Sequence, residues 1–470
     1  MAEAREKCAV FGVFAPGKDV SRIIYYGLFA LQHRGQESSG MAVATPSHVT
    51  LYKNMGLVQQ VFNESILQLL KGHAGIGHNR YSTTGSSLIE NAQPYLFDNY
   101  ASERKSFAVA HNGNLVNTVE LANELEKLGL SQRSTSDTEL FGLILEKEYR
   151  DKPFLEALLA TLSRISGAYS FVILTQDELY AVRDPLGFRP LVLGEISGGY
   201  AVASESAAFP IVGGKFIREI EPGEIVRINE KGVEFTRFAE GKYKFCMFEF
   251  FYFSRPDALL RGKEAYSMRI EMGRLLAREA PVSADIVVHV PDSGLPAAIG
   301  YSLESGIPHH EALIKNRYVG RTFIQPLQAQ REVGVRMKLN PLREILEGKR
   351  VVLVDDSIVR GSTSRQIVRL LKSAGAKEVH MRLSSPPIRF PCYYGIDFGT
   401  YEELIAANLS VDEICEQLGA DSLHYLSLES IVKATGFPFE DFCLACFNND
   451  RPIPIPEQMK IGKYVLEEKK

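Results

Sequence analysis

Residues 351–363, Val-Val-Leu-Val-Asp-Asp-Ser-Ile-Val-Arg-Gly-Ser-Thr, constrain this chain more than any other segment. Four consecutive apolar residues fit a parallel strand buried on both faces. Gly361, Ser362, Thr363 and Ser364 then lead into the helical pattern Gln366-Ile367-Val368-Arg369-Leu370-Leu371. Unpaired N–H groups and the positive dipole end of that helix suit a phosphate monoester. At the strand's carboxyl end, Asp355 and Asp356 can accept hydrogen bonds from two vicinal hydroxyls. Such a loop is built for a phosphorylated sugar; the plainer alternative is an acidic strand end before an ordinary turn.

The chain around this segment has 470 residues, 45% hydrophobic and 23% charged, which is more than one ordinary core holds, so two domains are expected. A net charge of -4 gives no reason to expect nucleic acid as a partner, and no run of 18 apolar residues offers a membrane span. The leader Met-Ala-Glu-Ala-Arg-Glu-Lys lacks the apolar stretch of a secretory signal, so the cytoplasm is the expected compartment. Six cysteines are too few for a disulfide scaffold; each reads as metal-binding, catalytic or buried.

Cys8 opens a segment of strand formers, Cys-Ala-Val-Phe-Gly-Val-Phe, and glycine-rich apolar segments recur to about residue 240. Three polar clusters interrupt them, residues 32–40 (Gln-His-Arg-Gly-Gln-Glu-Ser-Ser-Gly), 77–85 (Gly-His-Asn-Arg-Tyr-Ser-Thr-Thr-Gly) and 110–115 (Ala-His-Asn-Gly-Asn-Leu). Each adjoins an apolar run, as active-site loops on a rigid sheet do. Taken singly, Asn112-Gly113 reads as a hairpin turn, Arg80 as a surface ion pair, Asp137 as a helix cap and Cys8 as a buried thiol. His33, His78 and His111 lack paired ligand spacing and read as structural.

From about residue 280 strands alternate with helices, the signature of a parallel sheet. Residues 285–290 form one strand, and Pro291-Asp292-Ser293-Gly294 turns into a helix near Leu295 to Tyr301. A weakly periodic stretch from Lys315 through Pro326, with Arg331, Arg336, Lys338 and Arg343 beyond it, reads as a mobile loop or a solvated charged face. Near the end, Cys443-Leu444-Ala445-Cys446 is a CxxC pair that alone serves redox, zinc or iron-sulfur sites equally; Cys246 and Cys392 are isolated, and Cys415 on an amphipathic helix reads as core.

The 351–363 segment resembles the PRPP-binding signature of type I phosphoribosyltransferases, and Cys8 with the three polar clusters resembles a class II glutamine amidotransferase domain. Together, over all but the leader and the charged tail, the chain is similar to the amidophosphoribosyltransferases of the iron-sulfur, propeptide-processed type. The fold implied is an α+β N-terminal nucleophile glutaminase domain, four-layer αββα, over residues 8–240. An α/β type I phosphoribosyltransferase domain with a parallel sheet and a C-terminal cluster-binding segment would follow over 241–470. Residues 1–7 would be a propeptide, whose removal frees the α-amine of Cys8 as general base, a group whose ordinary pKa of about 7.7 to 8 suits the task.

By the resemblance, Asn112 and the N–H of Gly113 form an oxyanion hole, Arg80 binds the glutamine α-carboxylate and Asp137 its α-ammonium. Asp292, Ser293 and Gly294 take the pyrophosphate of PRPP, Asp355 and Asp356 the ribose hydroxyls, and Ser357 with Arg360, Gly361, Ser362 and Thr363 the 5-phosphate. One Mg2+ is carried mainly by the pyrophosphate, beside Ser293, Asp355 and Asp356, and Cys246, Cys392, Cys443 and Cys446 ligate one [4Fe-4S] cluster. The same four thiolates could instead hold zinc. The loop after Lys315 would close over PRPP and complete a route for ammonia. Purine nucleotide inhibitors and a homotetramer are implied as well. The alternatives are an amidotransferase with another acceptor, such as a sugar phosphate or an aspartyl adenylate, and a non-catalytic PRPP-sensing regulator. The first is opposed by Asp355-Asp356, the second by Cys8, Arg80 and Asp137 and by the lack of a basic winged-helix segment.

Overall fold

The computed structural model of the chain describes residues 8–81, 87–98, 105–316, 338–398 and 400–457. The leader 1–7, the Ser82-Thr83-Thr84-Gly85 end of the second polar cluster and most of the basic loop lie outside the described residues.

Alternating side chains in the first half build two stacked antiparallel sheets. The seven-stranded one runs, edge to edge, Lys215–Glu219, Val192–Ile196, Gly199–Ala203, Ala9–Phe14, Ala74–Arg80, Ser38–Ala44, Val49–Met55. A six-stranded one runs Gly232–Arg237, Glu224–Asn229, Leu179–Arg183, Gly167–Thr175, Phe107–Leu115, Tyr95–Phe97. In the strand Ala9–Phe14, Val10 and Phe14 face the second sheet and meet Ala108, Ala110, Val172 and Leu174 in a shared core. Ala9, Phe11 and Val13 face the other way, onto the helix Val20–Ala30. The second sheet buries Tyr169, Phe171 and Ile173 under the helices Thr118–Lys127, Asp137–Tyr149 and Phe154–Leu162. Period-two alternation therefore gives each sheet one partner sheet and one helical layer, which is the four-layer αββα arrangement.

The second half centres on a four-stranded parallel sheet in the order Ile286–His289, Arg350–Asp355, Glu378–Leu383, Ser422–Tyr425. Val352 and Val354 pack on the helices Ala265–Glu279, Leu295–Ser305 and Leu428–Thr435, while Val351 and Leu353 pack on Ser362–Ser373 and Val411–Leu418. Both faces are covered, which is why residues 351–354 are continuously apolar. A short parallel pair, Phe245–Cys246 with Phe442–Cys443, joins the segment after the first half to the C-terminal region. Cys415 is half-buried rather than core: Ile414 and Leu418 form the buried side of its helix, and its thiol donates to the carbonyl of Ala420 at 3.4 Å. No helix among the described residues is long and apolar enough to cross a membrane.

Candidate active sites

Cys8 lies just before the first strand, at the end where the two sheets bring the polar clusters together. Its thiol donates to the carbonyl of Tyr81 at 3.3 Å, and burial pushes it up to about 11, with Arg80 pulling the other way and Glu37 and Asp137 adding to the rise. A thiol held so high needs a base before it can act as a nucleophile. Arg80, at the end of its strand and 3% exposed, donates to Glu37 at 3.3 Å. Strand Ala74–Arg80 is tied to the second sheet by His78, whose Nε2 pairs with the carbonyl of His111 at 3.0 Å.

Asn112 and Gly113 do not form a turn. They lie inside the strand Phe107–Leu115, with His111 opposite Phe171 and Gly113 opposite Tyr169. The backbone of Gly113 takes φ +151, where a Cβ would collide with the carbonyl of Ala168. Beside it, Asn112 is completely buried, and neither its amide nitrogen nor its amide oxygen has a hydrogen-bond partner. Leaving a buried amide unmatched costs roughly 1–3 kcal/mol per group, so such a residue is retained where a ligand completes it.

Asp137 opens the helix Asp137–Tyr149 behind the cap Ser136. Its carboxylate accepts from the N–H of Leu115 at 3.0 Å and lies 3.5 Å from Nδ1 of His111. Burial alone raises its pKa, but His111 and the backbone N–H groups outweigh it and hold Asp137 below the usual carboxylate range. His111 and His78 are buried and bonded within the sheets.

In the second half, the turn after Ile286–His289 is pinned to the next strand, since the N–H of Val290 donates to the carbonyl of Val354 at 2.9 Å. Asp292, Ser293 and Gly294 therefore stand beside Asp355 and Asp356 at the carboxyl edge of the sheet, where open α/β sheets bind ligands. Asp292 projects into solvent and pairs with Lys315. Asp355 and Asp356 are 8% and 6% exposed; Oδ1 of Asp355 accepts from the N–H of Asp356 at 2.9 Å, and Ser357 donates to Asp356 at 2.6 Å. Gly361 then takes φ +75 and the helix begins at Ser362, four residues earlier than periodicity alone places it. The hydroxyl of Thr363 is buried there with no partner. Arg360 pairs with Glu403.

Cys246, Cys392, Cys443 and Cys446 line one small pocket together with Phe188, Arg189 and Tyr394. All four are free thiols, and burial raises each of them. Among the described residues no three His, Cys, Asp or Glu side chains are grouped to hold a metal ion.

Sequence reasoning missed a buried charge cluster. Arg34, Glu205, Glu249 and Arg189 are each at most 1% exposed and bond one another across segments far apart in the chain. It also missed that Asn114, beside the Asn112-Gly113 pair, donates to the carbonyl of Tyr393 at 2.9 Å, so the second half supports that strand. The motif positions gave the only available signal, the polar residues Arg34 and Glu205 beside apolar runs.

Residues 78–210 match the family of glutamine amidotransferase domains, and residues 274–384 match the phosphoribosyl transferase domain family. The chain is 52% identical to the amidophosphoribosyltransferase of Synechococcus elongatus over 98% of its length and 94% of that protein's. It is 46% identical to that of Methanothermobacter thermautotrophicus, covering 97% of each chain. Among solved structures, the glutamine phosphoribosylpyrophosphate amidotransferase from B. subtilis complexed with ADP and GMP matches at a TM-score of 0.90 and 46% identity, covering 96% of this chain and 98% of that one. A structure described as the allosteric regulatory enzyme of purine biosynthesis matches at 0.91 and 47%, covering 96% of this chain and 97% of that one. A glutaminase-type pocket and a phosphoribosyl loop on one chain, with such identity across nearly all of it, lead to one conclusion: this chain belongs to the amidophosphoribosyltransferases, the enzymes that use glutamine to aminate PRPP in purine biosynthesis.

Proposed function

We propose that Cys8, with its α-amine freed by removal of residues 1–7, is the nucleophile of the glutaminase half-reaction. The observation that carries this reading is the buried, unpartnered amide of Asn112. It lies beside Gly113 on a strand facing the Cys8 strand, where a developing oxyanion would give its N–H groups a partner. Arg80 takes the α-carboxylate of glutamine in place of or alongside Glu37, and Asp137, held ionised, takes the α-ammonium. The thiol proton passes to the α-amine, the sulfur bonds to the amide carbon, and the C–N bond breaks as the amine returns a proton to departing ammonia. Water then cleaves the thioester, releasing glutamate and restoring the thiol.

In the second site the lone pair of ammonia attacks C1 of PRPP; the bond from C1 to the pyrophosphate oxygen breaks, and the new C1-bound nitrogen loses one proton to give the neutral amine. Positioning does most of the work, since ammonia is already nucleophilic. Asp355 and Asp356 hold the ribose hydroxyls, Asp292, Ser293 and Gly294 the pyrophosphate, and Ser357 with Arg360 through Thr363 the 5-phosphate; the unpartnered hydroxyl of Thr363 fits that role. Ser293, Asp355 and Asp356 would be the residues beside Mg2+, which when bound would neutralise charge on the pyrophosphate.

The pocket lined by Cys246, Cys392, Cys443 and Cys446 would hold one [4Fe-4S] cluster, since four cysteine thiolates are its usual ligands; the same four thiolates are also a zinc ligand set. Such a cluster, when bound, supplies a structural tie. The enzyme is a cytoplasmic homotetramer inhibited by purine nucleotides, in line with the ADP and GMP bound by the B. subtilis relative.

The test is to determine the N-terminal residue of the purified protein and to assay Cys8→Ala and Asp355→Asn with glutamine and with ammonia. Cys8 should be the first residue; Cys8→Ala should lose glutamine-dependent synthesis and keep the ammonia-dependent reaction, while Asp355→Asn should lose both. Glutamine-dependent turnover by Cys8→Ala would refute the nucleophile assignment.

A further inference from the structure

Arg34 belongs to the first polar cluster, yet it touches no expected substrate position. Its guanidinium is 1% exposed and every one of its bonds is to a buried group. Nη1 donates to Glu205 at 2.5 Å and to Glu249 at 2.9 Å, and Nη2 donates to Glu249 at 2.8 Å. A further donor, Nε, goes to the main-chain carbonyl of Cys8 at 3.3 Å. The ladder between Ala9–Phe14 and Ala74–Arg80 starts at Ala9 opposite Asn79, so Cys8 stands just outside it and is held by Arg34.

Both carboxylates are anchored in turn. Glu205 also accepts from Nε2 of His33 at 2.9 Å and from the N–H of Arg255 at 3.0 Å. Glu249 also accepts from the hydroxyl of Ser254 at 3.1 Å and lies 3.4 Å from Nη1 of Arg189, whose Nη2 donates to the carbonyl of Tyr394 at 2.5 Å. A planar fork fixed on two carboxylates has little freedom left, so its Nε–H defines where the Cys8 carbonyl must be.

We propose that Arg34, locked by Glu205 and Glu249, is a positioning residue for glutamine cleavage: it fixes Cys8 by its own carbonyl and sets the charge around its α-amine. The inference rests on the reading of Cys8 as an N-terminal nucleophile and goes beyond it. Free at one end, an N-terminal residue has only its carbonyl and side chain to orient it, so a rigid donor at the carbonyl aligns thiol and amine together. The charged groups nearest Cys8 are Arg80, Glu37 and Asp137, which act on its thiol, and Arg34 at its carbonyl; Glu205 and Glu249 stand on Arg34, with His33, Arg189 and Arg255 behind them. Removing a negative charge disfavours the ammonium form, so the base stays neutral to lower pH.

Two variants separate this role from simple scaffolding. Arg34→Lys keeps the charge but loses the fork. Its glutamine-dependent kcat should fall ~10-fold or more while the KM for glutamine and the ammonia-dependent rate stay within ~2-fold, because ground-state binding and the second site are untouched. Glu205→Gln keeps the shape but loses a charge. The acid limb of its glutaminase pH profile should move down by ~0.3–1 pH unit, a change that a purely structural residue does not produce. Equal losses of glutamine- and ammonia-dependent activity in Arg34→Lys, or an acid limb in Glu205→Gln that stays put or moves up, overturns the proposal. If Arg34→Lys does not fold, the Glu205→Gln limb alone decides. Cys8→Ala, run in parallel, fails separately: retained glutaminase activity there removes the nucleophile reading and this inference with it.

Discussion

Asn112 carries more functional information than any other residue here, because folding alone gives no reason to bury an amide and leave both its ends unmatched. Asn112→Ala is expected to lower glutamine-dependent kcat by ~100- to 1,000-fold, the usual effect of losing one oxyanion donor. Ammonia-dependent synthesis should be unchanged, and a parallel assay of glutamate release and ammonia-driven turnover reads both. A second buried carboxylate behaves differently. Burial raises Asp184 from 3.8 to about 6, despite Arg183 and the N–H groups of Tyr169, Phe188 and Leu186. A carboxyl raised on folding contributes stability while protonated and loses it as pH climbs through the folded value, up to ~3 kcal/mol here. The destabilisation caused by Asp184→Asn should therefore shrink as pH rises from about 4 to about 6 and level off above about 7, as measured by calorimetry on both proteins. Single residues could be singled out from the sequence where they stand in short local motifs, as Cys8, Arg80 and Asp355 do. The Arg34 cluster was not, because its carboxylates come from 171 and 215 residues away and only the folded sheets bring them in.

Elements were read more reliably than their limits. The strand and helix around residues 351–373 follow from a continuous apolar run and a 3.6-residue period, and both are present. The helix starts early because Gly361 adopts a left-handed conformation that ends the loop and lets Ser362 turn at once. A Cβ at this position would also stand 2.7 Å from Ile405. Gly361→Ala is thus expected to shift the phosphate loop and raise the KM for PRPP ~10-fold, as 1–3 kcal/mol of strain implies. Steady-state kinetics with PRPP varied and ammonia saturating checks it; an unchanged KM would show that the loop tolerates the side chain. The Asn112-Gly113 pair teaches the opposite lesson. Its hairpin preference is a local term, and nine consecutive pairings with Gly167–Thr175 override it.

At the scale of the whole molecule, the cysteine pocket joins what the two sheet systems leave separate. Phe245–Cys246 pairs with Phe442–Cys443, and Val116, Ala168 and Phe188 from the first half share a core with Tyr393, Tyr394, Cys443 and Ala445. The same region grips the glutaminase site twice, through Asn114 to Tyr393 and through Arg189 to Tyr394 and Glu249. Four thiols whose charged forms burial disfavours would gain most from a multiply charged metal group among them. Loss of that group should therefore loosen residues 392–394 and be felt first at Asn112 and Cys8, before the parallel sheet that carries Asp355. Cys443→Ser, purified without oxygen, is expected to lose the brown chromophore and iron, to melt roughly 5 °C lower, and to lose more glutamine-dependent than ammonia-dependent activity. Spectrum, iron content, melting curve and the ratio of the two activities come from one preparation. Equal loss of both activities would mean that the pocket holds the two halves together without favouring either site, whereas a selective loss would place the cysteines in the support of the glutaminase strand.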